Sequence, residues 1–294
     1  SGFYIAMFLI LAALILRPVG FKYRSKRESA AWRGAWDWAL FVGGFVPALV
    51  FGVAVGNVLQ GVPFRLTEDL MPIYEGGFFG LLNPFALLAG LVSLSMLVMH
   101  GGAWLALKTE GPVQARARIY GSYAALATAG LFLLAGLWLA VGIDAYRFAG
   151  EAVTDGPSNP LLSEVVREGT WLAAYADRPW IAIAPLMGLG GALLAYAQIG
   201  KGHEVGTLLA SKLSIFGIIS TVGLTMFPFI LPSSIDPNSS LTVWDSSSSH
   251  LTLFVMLVAA VIFVPLILAY TAWVYKVLWG KVTEDDLAEG SQSY

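Results

Sequence analysis

Long runs of apolar residues, separated by short polar stretches, dominate the pattern of the chain. A helix needs about 20 apolar residues to cross a hydrocarbon core of about 30 Å. Seven runs approach or exceed that length, and none alternates between apolar and polar positions as a membrane strand would. The pattern therefore predicts seven transmembrane helices. They cover roughly residues 2–16, 36–59, 81–107, 119–142, 180–199, 213–231 and 251–275.

Composition supports a chain that lies mostly in lipid. Hydrophobic residues make up 57% and charged residues 12%, against roughly 45–50% and about 25% in soluble domains. The absence of cysteine excludes disulfides, iron–sulfur clusters and thiolate metal sites. A net charge of −2 gives no support to nucleic-acid binding. We therefore expect an all-α polytopic membrane protein, with residues 1–294 forming one integral-membrane domain.

The first apolar run is short. Fifteen residues rise only about 22 Å as a helix, less than the hydrocarbon core. The chain begins at Ser1 and shows neither the basic segment nor the cleavage site of a signal peptide. We interpret this terminus as lying within or just before a helix whose upstream neighbours are outside the sequence. The alternative is a processed mature end.

Lysine and arginine are distributed unequally between the two sets of loops, and such an excess marks the cytoplasmic side. Thirteen lie on one side and four on the other. The pattern predicts a cytoplasmic C-terminus. The four are Arg65, Arg147, Arg167 and Arg178.

Two acidic residues near predicted helix ends are candidate polar sites. Asp37 lies just inside the second helix, four residues after Arg33, so the two share a helix face and can pair. A local ion pair and participation in a proton path both remain open. Asp245 is expected to cap the last helix or an adjoining turn.

His100 is the histidine at membrane depth, since His203 and His250 lie outside the predicted spans. A haem iron needs axial ligands, and no second histidine lies within a span. We therefore expect no haem or metal ligand here, and we interpret His100 as a hydrogen-bonded residue between helices. A proton-linked role or a lone haem ligand is the alternative.

Small residues mark a packing face on the second helix. Gly52 and Gly56 form a small-xxx-small pair, followed by Asn57 and Gln60, whose amides are candidates for bonds between helices or to the outer loop. Residues 161–175 are expected to form a short amphipathic surface helix. Helices interrupted by glycine and proline also occur in secondary transporters, so that function remains an alternative.

Several strings are similar to subunit II of cytochrome bd-type quinol oxidases, with matching order and spacing along the whole chain. They are Arg17-Pro18-Val19-Gly20-Phe21, Tyr23-Arg24-Ser25-Lys26, Trp36-Asp37-Trp38, Gly56-Asn57-Val58-Leu59-Gln60-Gly61-Val62-Pro63-Phe64, Leu82-Asn83-Pro84-Phe85, Ser158-Asn159-Pro160-Leu161, Met226-Phe227-Pro228-Phe229 and Leu241-Thr242-Val243-Trp244-Asp245.

The resemblance implies a haem-free subunit of a bacterial inner-membrane terminal oxidase, which oxidises quinol and reduces oxygen. It implies two four-helix-bundle units plus a peripheral helix, and a heterodimer with subunit I, which carries the haems. A small single-helix subunit and a structural quinone occur in some members, and membrane lipids are further expected partners. Subunit II would scaffold its partner and help route oxygen or protons.

Members of this family begin with two further helices, which would bring the seven spans to nine. The family's acidic proton-route position lies in that part, so no residue of this sequence inherits it. A purely structural assembly subunit is the remaining alternative.

Overall fold

The computed structural model describes residues 2–154 and 158–283, and helices dominate them. Within these residues, seven helices are long and apolar enough to cross a membrane, as the hydrophobic pattern predicts. The helices are α1 (Gly2–Tyr23), α2 (Ala30–Gln60), α3 (Pro84–Lys108), α4 (Gly111–Gly142), the short α5 (Ala173–Asp177), α6 (Ile183–Gly200), α7 (Glu204–Met226) and α8 (His250–Val277).

Helices α3, α4, α6 and α7 form a four-helix bundle in which small residues allow close crossings. A Cβ on Gly191 would lie 2.5 Å from the Ser214 backbone nitrogen, so α6 and α7 nearly touch there. On the other side, α2 packs against α3. A Cβ on Gly52 would lie 2.5 Å from the Ala89 carbonyl oxygen, which confirms the packing face predicted on α2.

Helices α1 and α8 lie at the edge of the molecule. Helix α1 runs antiparallel to α2. Only 17% of its most apolar 18-residue segment is buried. Helix α8 has no buried residue among those described. Their outer surfaces are apolar, which suits lipid or another membrane protein.

Three antiparallel hairpins cover one face of the helices, here called the hairpin face. Their strands are β1 (Phe64–Leu66) with β2 (Pro72–Tyr74), β3 (Asp144–Phe148) with β4 (Val165–Thr170), and β5 (Phe229–Leu231) with β6 (Leu241–Thr242). Asn238 Oδ1 accepts a hydrogen bond from Val165 N–H, and Ser239 Oγ accepts one from Leu66 N–H. The loop before β6 therefore joins all three hairpins into one layer. The opposite side, with residues 24–29, 109–110, 201–203 and 278–283, is here called the basic face.

Several helix ends differ from the prediction. Helix α1 continues to Tyr23, so its 22 residues rise about 33 Å, and the expectation of a helix too short to span is wrong. Helix α4 begins at Gly111, and α7 covers Glu204–Met226. An apolar run marks only the part of a helix in hydrocarbon, whereas the backbone bonds continue into the polar interface. The apolar run 213–231 also passes beyond the end of α7 and includes strand β5.

The expected surface helix over residues 161–175 is wrong. This segment contains a 3-10 turn at Pro160–Leu162, strand β4 and the first residues of α5. Val165 and Val166 are β-branched, which favours strand, and β3 provides a partner with Tyr146 opposite Arg167. The tertiary pairing decided this segment.

Candidate functional site

A buried amide cluster fixes the hairpin-face end of α2. Asn57 is 5% exposed, and its Nδ2 donates to the carbonyl oxygens of Val53 at 2.8 Å and Leu81 at 2.7 Å. Asn57 Oδ1 accepts from Asn83 Nδ2 at 3.1 Å. Asn83 in turn caps α3, because its Oδ1 accepts from Ala86 N–H at 2.8 Å. The cluster joins α2, the following loop and the start of α3.

Two aromatic side chains close over the last turn of α2. Tyr146 Oη donates to the Gln60 carbonyl oxygen, and Trp171 Nε1 donates to the Leu59 carbonyl oxygen, both at 3.1 Å. Burial raises the pKa of Tyr146, so the phenol remains a donor near neutral pH. Gly61 has φ +87°, and a Cβ there would lie 2.1 Å from Tyr146 Oη. Only glycine fits beneath this ring.

The side chain of Gln60 contrasts with that of Asn57. Its Oε1 is buried, yet it has no hydrogen-bond partner within residues 2–154 and 158–283. A buried acceptor without a partner costs about 1–3 kcal/mol. Gln60 thus contributes to the loop contact through its backbone.

Asp245 is buried in the turn after β6. Its carboxylate accepts from Thr242 Oγ1 at 2.5 Å, and its N–H donates back to the same hydroxyl oxygen at 3.4 Å. The cap of α8 is Ser249, whose Oγ accepts from Thr252 N–H at 3.4 Å. Asp245 was expected to cap either the last helix or an adjoining turn, and in the structure it caps the turn.

Asp37 pairs with Arg24 and not with Arg33, which corrects the expected ion pair. Arg24 Nε lies 2.5 Å from Asp37 Oδ1, and Nη2 lies 3.1 Å from Oδ2. The antiparallel packing of α1 on α2 brings the end of α1 beside Asp37, and a guanidinium binds a carboxylate best through two parallel bonds. Both side chains are about half exposed.

His100 forms the polar contact between helices that the sequence predicts. Its Nδ1 lies 2.9 Å from Ser211 Oγ on α7. The same serine hydroxyl also lies 2.8 Å from the Leu208 carbonyl oxygen, to which it can donate. The imidazole thus connects α3 to α7.

Within residues 2–154 and 158–283, no group of three or more His, Cys, Asp or Glu side chains could hold a metal ion. His203 Nδ1 contacts Gln198 Oε1 at 2.7 Å just before α7. His250 is the first residue of α8. The three histidines therefore lie at different depths.

An apolar cavity of about 890 Å³ lies among α2, α3, α4, α6 and α7. At its hairpin-face end, Tyr175 Oη and Thr225 Oγ1 lie 2.9 Å apart. Its size is within the range of ligand sites, about 300–1,000 Å³. The apolar lining of the cavity is compatible with a long apolar chain. Lining residues include Phe51, Phe85, Val92, Phe132, Leu189 and Ile218.

None of the five predicted residues, Asp37, Asn57, Gln60, His100 and Asp245, lines this cavity. Asn57, Gln60 and Asp245 lie at the hairpin face, whereas Asp37 lies near the basic face. The cavity gave no signal in the sequence, because most of its lining residues are ordinary apolar residues contributed by several separate helices.

Sequence reasoning also missed a polar cluster at the basic face. The Glu204 side chain is 17% exposed and contacts Arg118 Nη2 at 2.9 Å, Gln114 Nε2 at 2.7 Å and Lys281 Nζ at 3.1 Å. Nearby, Lys108 Nζ donates to the Leu278 carbonyl oxygen at 3.0 Å. The cluster attaches the end of α8 to the bundle. Glu204 is the one acidic residue of segment 200–212, which was the available signal.

Known proteins similar to this chain decide its family. The family profile described as Cytochrome bd terminal oxidase subunit II matches residues 1–278. The Escherichia coli K12 protein named Cytochrome bd-I ubiquinol oxidase subunit 2 is 47% identical over 294 residues, which covers 100% of this chain and 78% of that protein. The chain belongs to the cytochrome bd terminal oxidase subunit II family.

Two further matches are more distant. The Bacillus subtilis protein named Cytochrome bd ubiquinol oxidase subunit 2 is 26% identical over 97% of this chain and 75% of that protein. The bd oxidase structure from Geobacillus thermodenitrificans has a TM-score of 0.46 and 13% identity, over 92% of this chain and 78% of that chain. Seven membrane-crossing helices and this family assignment describe a multi-pass inner-membrane protein. Neither supports the transporter alternative.

Proposed function

We propose that this chain is the haem-free membrane subunit of a quinol-oxidising, oxygen-reducing terminal oxidase, in which subunit I binds the haems. The observation that carries the proposal is the family match over residues 1–278. The chain would scaffold subunit I, shield the haems from water and help route oxygen or protons. Asp37 and His100 stay predictions as proton-linked residues.

We propose that the hairpin face is periplasmic and the basic face cytoplasmic. Thirteen of the seventeen Lys and Arg residues lie towards the basic face, and such an excess is typical of the cytoplasmic side. All three hairpins share the opposite face, so every described connection agrees with one orientation. The C-terminus would then be cytoplasmic, and the basic connection between α1 and α2 would meet anionic headgroups.

Helices α1 and α8 are the proposed contacts for subunit I. The most apolar 18-residue segment of α8 has a mean hydropathy of 3.0, and none of it is buried. Helix α8 is attached mainly near its basic-face end, where Tyr275 packs against Trp104. A partner helix would fix the rest of α8. A small single-helix subunit is a second candidate for such a surface.

The function is tested by purifying the oxidase through a tag on subunit II. Co-expressed with subunit I, the preparation is expected to absorb in the visible region and to consume oxygen with quinol. Subunit II expressed alone is expected to show no haem absorption. Stoichiometric haem in the subunit alone, or solute uptake after its reconstitution alone, would contradict the proposal.

We further propose that the apolar cavity holds the isoprenoid tail of a structural quinone. The size and apolar lining of the cavity support this assignment, and the Tyr175–Thr225 pair provides polar groups at one end. A lipid acyl chain has similar chemistry. Quinone analysis of the purified oxidase distinguishes the two.

Filling the cavity is expected to remove the quinone. A Cβ on Gly136, which lines the cavity, meets no atom within 4 Å, so Gly136→Phe places a ring in the free space without a backbone clash. Bound quinone per complex, measured by mass spectrometry, should fall severalfold. Gly130→Phe is the matched control, since Gly130 lies on the same helix, is equally free and does not line the cavity. Equal quinone content in both variants would contradict the assignment.

A further inference from the structure

A second apolar depression lies on the surface between α3 and α4, near the basic face. It encloses about 400 Å³ and shares no lining residue with the larger cavity. We call it the α3–α4 groove. Its residues are Val98, Gly101, Gly102 and Leu105 on α3, and Val113, Arg116, Ala117 and Tyr120 on α4.

The spacing of these residues explains the shape of the groove. On each helix they follow the pattern i, i+3, i+4, i+7, which places them on one face. The helices approach closely at Gly102, where a Cβ would lie 2.8 Å from Gly121 Cα. At Gly101, by contrast, a Cβ would meet no atom within 4 Å. Gly102 therefore lets the helices meet at the bottom of the groove, and Gly101 leaves the space above this floor open.

Larger side chains form the walls. Val98 and Leu105 on α3 are 45% and 44% exposed, and Val113 and Tyr120 on α4 are 48% and 65% exposed. Apart from the arginine, the groove presents hydrocarbon to the membrane over two turns of each helix. An extended acyl chain matches this shape.

One charged side chain stands at the edge of the groove. Arg116 is exposed and has no hydrogen bond or ion pair with any residue that the structure describes. Arg118, two residues later, is instead paired with Glu204. Arg116 lies five residues beyond Gly111, the start of α4, which is about 8 Å along the helix. This depth corresponds to the boundary between headgroups and acyl chains.

We propose that the α3–α4 groove is a binding site for an anionic phospholipid of the leaflet at the basic face. One acyl chain lies between the two helix stripes. The phosphate binds the Arg116 guanidinium, which has five N–H donors suited to phosphate oxygens. A transmembrane helix of another polypeptide could also use a glycine floor, but it would leave the arginine without an anionic partner.

The test uses the complete oxidase in nanodiscs that contain a photoactivatable phosphatidylglycerol with its reactive group in the acyl chain. A phosphatidylcholine analogue with the same chain is the second arm. After illumination, peptides covering residues 98–120 are analysed by mass spectrometry. The expected result is labelling by the phosphatidylglycerol probe that unlabelled phosphatidylglycerol, but not phosphatidylcholine, competes away.

Two variants separate the headgroup contact from the acyl-chain contact. Arg116→Gln should lower labelling about fivefold, as expected for one basic residue at an anionic surface, and Arg116→Lys should restore part of it. Gly101→Leu should lower labelling by filling the floor, and it causes no backbone clash. Gly190→Leu is its control, because a Cβ on Gly190 is equally free and Gly190 is outside the groove. Haem content serves as the measure of folding.

Equal labelling by the two probes, unchanged by Arg116→Gln, would overturn the proposal. Absence of label in residues 98–120 with either probe would also overturn it. So would a single-helix polypeptide that co-purifies and cross-links to these peptides in place of lipid.

Discussion

Replacing Gly217 by valine is expected to prevent α6 and α7 from packing and to abolish the assembled oxidase. A Cβ on Gly217 would lie 2.3 Å from the Gly188 backbone nitrogen and 2.7 Å from the Ala184 carbonyl oxygen. Both are backbone atoms, so no rotamer change relieves the contact. Overpacking of a core costs typically about 1–3 kcal/mol, and we expect this variant to exceed that range because two helices must separate.

Gly190→Val on α6 is the matched control for Gly217→Val. A Cβ on Gly190 meets no atom within 4 Å, so the same substitution changes little there. Size-exclusion chromatography of the detergent-solubilised complex and its haem content measure assembly. If Gly217→Val assembled as well as Gly190→Val, the close crossing of α6 and α7 would be wrong.

Replacing Asn57 by leucine is expected to destabilise the hairpin-face end of the molecule by several kcal/mol. The change removes the donor to the Leu81 carbonyl oxygen and the acceptor for Asn83 Nδ2. Each buried polar group left without a partner costs about 1–3 kcal/mol. The thermal midpoint of the complex should fall clearly, and hydrogen exchange should increase at the start of α3, which Asn83 caps.

The control for Asn57→Leu is Gln60→Leu, the same kind of change in the next turn of α2. Gln60 Oε1 has no hydrogen-bond partner in the described part of the chain, so its removal should be neutral or slightly stabilising. The backbone carbonyl that accepts from Tyr146 remains. A Gln60→Leu complex as unstable as Asn57→Leu would show that amide hydrogen bonding is not the source of the effect.

The local sequence identified polar residues that form contacts between helices more reliably than it identified the residues they bond to. The small-xxx-small pair and the amide at Asn57 indicated a packing face, but the Leu81 and Asn83 contacts depend on how the following loop folds back. Asp37 was identified, yet its partner is Arg24, thirteen residues earlier, because antiparallel packing of α1 on α2 outweighs helix periodicity.

Loop segments were the least predictable. Residues 161–175 contain apolar spacing that also suits a helix, and only pairing with β3 makes part of them a strand. The sequence therefore did not predict the contacts of Trp171 and Tyr146 with the end of α2. Glu204 was missed for a similar reason, since its three partners come from α4 and from the segment after α8.

The sequence by itself determined that the chain crosses a membrane in seven helices, because a hydrocarbon core requires long apolar runs with internally bonded backbones. Its motifs also indicated the subunit II family. Only the tertiary structure decided which polar groups meet and where cavities remain. Those features depend on distances between residues far apart in sequence, and neither composition nor periodicity contains such distances.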